Sequence, residues 1–134
     1  MENELQQKYL EFQMLEQELR QMEKQIVLVQ QQIIELRTLT QNIKDIKDVK
    51  SGTEIFSQIG AGIYIKTKVE DAKQLLINTG ADVSVIKTAE EVKEIVKNQV
   101  MQLESILNRM QNEFQNAIMH AQSLQEELQK SSKE

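Results

Sequence analysis

The chain has 134 residues, 40% apolar and 28% charged, which is the composition of one folded domain and not of a disordered segment. A net charge of −5 argues against a nucleic-acid surface, where phosphates demand clustered Lys and Arg, and the lack of Cys excludes disulfides and thiolate metal sites. No apolar run approaches the roughly 20 residues that span a bilayer, and Met1-Glu2-Asn3-Glu4 is unlike a secretory signal, so a cytoplasmic protein without a membrane partner is expected.

The first third, residues 1–48, is free of helix breakers: Pro is absent from the chain and Gly occurs only at 52, 60, 62 and 80. Leu5, Phe12, Leu19, Ile26, Ile33 and Thr40 recur every seven residues. Leu15, Met22, Val29, Leu36 and Ile43 form a second series three residues after the first, with Lys8 as its polar first member. This 3-4 alternation is a coiled-coil seam, narrower than the face of a globular helix.

The middle third, residues 49–87, changes period. Thr53-Glu54-Ile55-Phe56-Ser57 and Ile63-Tyr64-Ile65-Lys66-Thr67 flank Gly60-Ala61-Gly62. Leu75-Leu76-Ile77-Asn78-Thr79 and Val83-Ser84-Val85-Ile86-Lys87 flank Gly80-Ala81-Asp82. Each group predicts a β-hairpin with a short turn, and the two repeat each other at an offset of about 20 residues. Four short strands with Ile55, Ile63, Ile65, Ile77, Val83 and Val85 cannot close a barrel alone. Their open edges are best paired with strands of other subunits, which makes the insert an expected assembly platform.

The last third, residues 88–134, returns to heptads. Val96, Leu103, Met110, Ala117 and Leu124 make one series, and Val100, Leu107, Phe114, Ala121 and Leu128 the other. Thr88 and Glu91 are spaced as a capping box, and Glu90 and Glu91 suit the positive end of the helix dipole. Each helix is expected to run about 43–46 residues, or roughly 65 Å. Matched lengths predict a long antiparallel two-helix coiled coil joined by the hairpins: one domain, mainly α with a small β insert.

Catalytic signals are sparse. Gly60-Ala61-Gly62 lacks the third Gly of a dinucleotide loop, since Ile65 stands there, and no Gly-Lys-Ser/Thr follows. His120 is the only His and has no nucleophile beside it, so it reads as a solvated flank residue. Glu90-Glu91 and Glu126-Glu127 read as solvated faces. No enzyme activity, cofactor or metal is expected. Apolar residues outside the seam say more: Tyr9, Leu10 and Met14 near one terminus, Ile118 and Met119 near the other. An antiparallel hairpin brings both sets to the end away from the insert. There they either form a binding surface, for which Met is well suited, or widen the intramolecular seam as Val27, Leu28 and Ile34 are expected to do.

Helix, two Gly-turned hairpins and helix, with Ile59-Gly60-Ala61-Gly62-Ile63-Tyr64-Ile65, Asn78-Thr79-Gly80-Ala81-Asp82-Val83-Ser84-Val85 and Thr88-Ala89-Glu90-Glu91-Val92, resembles the α-type, archaeal-type subunit of prefoldin. Two hairpins point to the α class, because β-type subunits have one. The resemblance implies a hexamer of two α and four β subunits whose strands form a β-barrel platform. It further implies coiled-coil tips that hold unfolded client proteins without ATP and deliver them to a group II chaperonin. On that picture Tyr9, Leu10, Phe12, Met14, Ile118 and Met119 contact clients, and the strands from Ile55 to Val85 assemble the body. Relatives often carry a second Gly where this chain has Asp82, a residue that also tolerates turn geometry. A purely structural coiled coil or a filament-forming prefoldin-like protein, without client transfer, is the alternative that the same fold serves. A helical arm of an enzyme or RNA-binding protein is disfavoured by the acidic balance.

Overall fold

The computed structural model describes residues 2–132. Helix α1 spans Glu2–Ile46, followed by strands β1 (Glu54–Gly60), β2 (Ile63–Lys68), β3 (Gln74–Gly80) and β4 (Val83–Thr88), and by helix α2 (Ala89–Ser132). The helices contain 45 and 44 residues, as the two heptad runs predict.

Burial along both helices follows the seven-residue period. Every member of the α1 series from Phe12 to Ile43, and every member of both α2 series, is buried or half-buried. Val27, Leu28 and Ile34 depart from expectation. They are exposed, and so they do not widen the seam. Their heptad positions explain this, because they fall on the outward side of the helix while Ile26 and Ile33 take the seam.

The chain falls into two compact units, one formed by Met1–Ile34 with Gln102–Glu134 and the other by Glu35–Met101. The first, the terminal unit, contains the antiparallel pairing of α1 and α2 marked by ion pairs Lys8–Glu127 (3.0 Å) and Glu11–His120 (3.5 Å). Among the described residues, Ile26, Ile33, Ala121 and Leu124 are buried in it. The second, the hairpin unit, is built on Ile43, Ala89, Val92 and Val96, against which Leu36, Leu75, Ile77 and Val100 pack.

In the hairpin unit β1 pairs antiparallel with β2, and β3 with β4, as two separate two-stranded sheets. The two hairpins share one design: each has six paired positions and a register shift just before the turn, at Gln58/Gly60 and at Asn78/Gly80. The turn residues Ala61-Gly62 and Ala81-Asp82 all have positive φ, the backbone twist that two-residue hairpin turns require. Asp82 adopts φ 60° without a Gly, as a short polar side chain permits. The Asn78 side chain accepts the Gly80 N–H (2.9 Å) and steadies the approach to the second turn.

α2 starts directly at the end of β4. The Thr88 hydroxyl accepts the Glu91 N–H at 3.2 Å, which caps the helix. The return half of the expected box is different: the Glu91 carboxylate accepts from the Thr88 hydroxyl itself, also at 3.2 Å. Thr88 is at once the cap and the last residue of β4, opposite Gln74.

Candidate functional site

In the terminal unit, a seam of one α1 side and one α2 side leaves the rest of each helix uncovered. Tyr9, Leu10, Met14 and Met119 are 55–65% exposed. Phe12 is half-buried, since it is a seam residue by period, and Ile118 is half-buried as well. Exposure thus differs among the off-seam residues. Tyr9, Leu10, Met14 and Met119 offer apolar surface to solvent, and Ile118 contributes partly to packing.

Two hollows organise this surface. The larger, about 650 Å³, is lined by Leu5, Gln6, Tyr9, Leu10, Phe12 and Leu128, so its walls are almost wholly apolar. The smaller, about 440 Å³, has Leu10, Met14 and Leu15 alongside Glu11, Glu18 and His120. Leu10 lines both. The structure therefore gathers Tyr9, Leu10 and Phe12 around the larger hollow and places Met14 in the smaller one, which shares Leu10 with it, while Ile118 and Met119 line neither hollow. Leu5 and Leu128, which period alone assigns to the seam, also line the larger hollow. They close the last heptad layers, where Leu5 is left 39% exposed. His120 lies exposed beside Glu11, consistent with a flank residue. By contrast, a hollow in the hairpin unit of about 560 Å³ is lined largely by charged side chains, including Arg37, Lys44, Glu90, Lys93, Glu94 and Lys97.

The hairpins present a second surface. Of the strand residues expected to assemble subunits, Ile63, Ile65 and Val83 are exposed, whereas Ile55, Ile77 and Val85 are half-buried. Ile77 packs with Leu75 on the helical core of this unit. The Ile55 side of the first hairpin is tied by the Ser57–Thr67 hydroxyl pair (2.7 Å), and the other side by Lys66–Glu54 (2.8 Å). On that other side lie Phe56 and Tyr64, and on the corresponding side of the second hairpin Leu76 faces Ile86 across the strands. Phe56 and Leu76 are 70% and 71% exposed. These four are apolar residues one position out of step with the strand residues singled out from sequence. The signal was present in the alternation, since apolar side chains occur at successive strand positions and so fall on both faces of each hairpin. Each strand also keeps one edge unpaired among the described residues.

No helix of the described residues is long and apolar enough to cross a membrane, and no described cluster of His, Cys, Asp and Glu is arranged to hold a metal ion.

Comparison with known proteins agrees with this architecture. A proteins-wide fold match is provided by the cryo-EM structure of filamentous PFD from Methanocaldococcus jannaschii, with a TM-score of 0.75 at 15% identity over 84% of this chain and 93% of that one. The prefoldin subunit alpha of Archaeoglobus fulgidus is 24% identical over 127 residues, covering 95% of this chain and 93% of that protein. The prefoldin subunit alpha of Thermofilum pendens is 21% identical over 118 residues, covering 88% and 92%. The family model described as Prefoldin subunit matches residues 15–134. With helices, hairpins and sequence in agreement over most of its length, the chain belongs to the prefoldin family, whose members are chaperone-type subunits that assemble into oligomers.

Proposed function

We propose that this chain is the α-type subunit of a cytoplasmic holdase, which captures unfolded proteins without ATP and delivers them to a group II chaperonin. The observation that carries this reading is the exposed apolar surface around Leu10 in the terminal unit. An apolar hollow lined by Leu5, Tyr9, Leu10 and Phe12, with exposed Met14 on the hollow that adjoins it through Leu10, suits side chains that a folded protein would have hidden. Contacts of this kind are non-directional and tolerate many sequences, and the flexible thioethers of Met14 and Met119 adapt to irregular partners. Phe12 lines the larger hollow, and Ile118 on α2 is half-buried.

Assembly is the second half of the proposal. Unpaired strand edges beside exposed Phe56, Ile63, Tyr64, Ile65, Leu76, Val83 and Ile86 support pairing with strands of β-type subunits, in a hexamer of two α and four β chains. Ile77, with Leu75, packs the second hairpin on the helical core, and Ile55 and Val85 are half-buried on the strands.

The test is suppression of aggregation of a chemically denatured client by the assembled complex. Replacing Tyr9, Leu10, Met14 and Met119 together by Ser is expected to remove most of the suppression while the complex still assembles. Unchanged suppression by an intact complex sinks the reading.

A second reading is a filament-forming subunit without client transfer. It draws on the same open edges, which permit pairing without end, and on the filamentous state named for the M. jannaschii protein. Native mass measurement after co-expression with a β-type subunit separates the two: a discrete hexamer supports the holdase, and open-ended growth supports the filament.

A further inference from the structure

Charge is divided unevenly along the chain. Residues 1–34 and 102–134, the terminal unit, carry six basic and eleven acidic residues, whereas residues 35–101 carry ten of each. The whole net charge of −5 therefore belongs to the unit that also carries the exposed apolar surface. Within that unit the acids are placed unevenly too. The smaller hollow sets Glu11 and Glu18 beside Leu10, Met14 and Leu15; its lining holds no Lys or Arg, and His120 lies 3.5 Å from Glu11. Leu10 then leads into the larger hollow, which has no charged residue in its lining. Of the bases near in sequence, Lys8 pairs with Glu127 at 3.0 Å and Arg20 with Glu16 at 3.9 Å.

An unfolded segment that fills the apolar hollow must run its flanking residues past this acidic margin. From the geometry we infer that the chain selects among unfolded clients by charge: it prefers apolar segments flanked by Lys or Arg over equally apolar segments flanked by Asp or Glu. The inference rests on the client-capture reading and adds a rule of selection to it. Apolar burial supplies affinity that is indifferent to sequence, and the carboxylates supply the discrimination, because like charges brought together at a docking margin oppose binding. The pairs formed are solvent-exposed, so each contributes modestly and is weakened by salt.

The test uses the full-length chain in its native assembly and three labelled, unstructured peptides. All share one Leu/Phe core and differ only in having Lys, Ser or Glu flanks. Fluorescence anisotropy is expected to rank them Lys, Ser, Glu, with about a three- to tenfold step in Kd between neighbours at low ionic strength. The steps are expected to collapse at 0.5 M salt, at about a 4 Å screening length. The double variant Glu11→Gln with Glu18→Gln is expected to shrink the Lys-to-Ser step, and Asp45→Asn with Asp48→Asn, in the hairpin unit, to retain it. Equal binding of the three peptides, or a Lys-to-Ser step that Glu11→Gln with Glu18→Gln does not shrink, overturns the inference and leaves client capture standing. Failure of all three peptides to bind overturns capture itself, and the inference with it.

Discussion

Leu10 and Ile26 show how one period sorts residues into two environments. Both are aliphatic residues of α1, but Ile26 is at a seam position and is buried, while Leu10 is off the seam and 57% exposed. A Leu side chain that a client covers gains roughly 1.5–3 kcal/mol from leaving water. Leu10→Ser is therefore expected to weaken client binding about tenfold or more, with the thermal midpoint of the free protein nearly unchanged; a titration with a denatured client and a melting curve report the two effects separately. The turn residue Ala81 offers a test in the opposite direction. It has φ 51°, a left-handed conformation that costs a residue with a Cβ about 1–2 kcal/mol. After the added freedom of the unfolded chain is subtracted, Ala81→Gly is expected to stabilise the second hairpin by about 0.5–1 kcal/mol in chemical denaturation. A loss of stability contradicts this account of the turn.

Among elements, the helices were the most legible in the sequence and the strand faces the least. Seven-residue spacing sustained from Phe12 to Ile43 and from Val96 to Leu128 admits one seam, and burial follows it residue by residue. A strand of six or seven residues gives only three side chains to each face, so Ile55 and Phe56, or Leu75 and Leu76, compete equally for the inside. The choice is made by packing: Leu75 and Ile77 meet Ile43, Val92 and Val96, which leaves Leu76 outside. Likewise, Val27, Leu28 and Ile34 are apolar enough to suggest a wider seam, and only the partner helix's single-sided coverage shows that they stay exposed. Two substitutions measure the seam directly. Ile43→Ala, at a residue 4% exposed, is expected to cost about 2–4 kcal/mol, whereas Ile34→Ala is expected to cost under about 0.5 kcal/mol. Equal costs in equilibrium unfolding contradict the assigned seam. Thr88→Ala removes the hydroxyl that takes the Glu91 N–H and is expected to cost about 1 kcal/mol.

For the whole molecule, the two units differ in charge and in the surface they expose. The hairpin unit, balanced in charge, carries exposed apolar residues beside unpaired strand edges, and the proposal gives it assembly. The terminal unit, acidic and apolar at once, is given client capture. Leu76→Lys with Ile86→Lys places two charges on the uncovered face of the second hairpin, where burial in an interface strongly disfavours them. Native mass measurement is expected to show smaller species for this variant, with helix content retained; an intact assembly removes the second hairpin from the interface. How the seam lies was readable from one chain, but which apolar residues remain uncovered was not, because that depends on what neither helix nor hairpin reaches. The central claim, that clients are held around Leu10, has a direct measurement. A photo-crosslinking amino acid is placed at position 10 in one variant and at position 101 in another, since Met101 is equally exposed but lies in the hairpin unit. With denatured client present, the account predicts client adducts from position 10 and few from position 101. Adducts of equal yield from both, or from position 101 alone, contradict it.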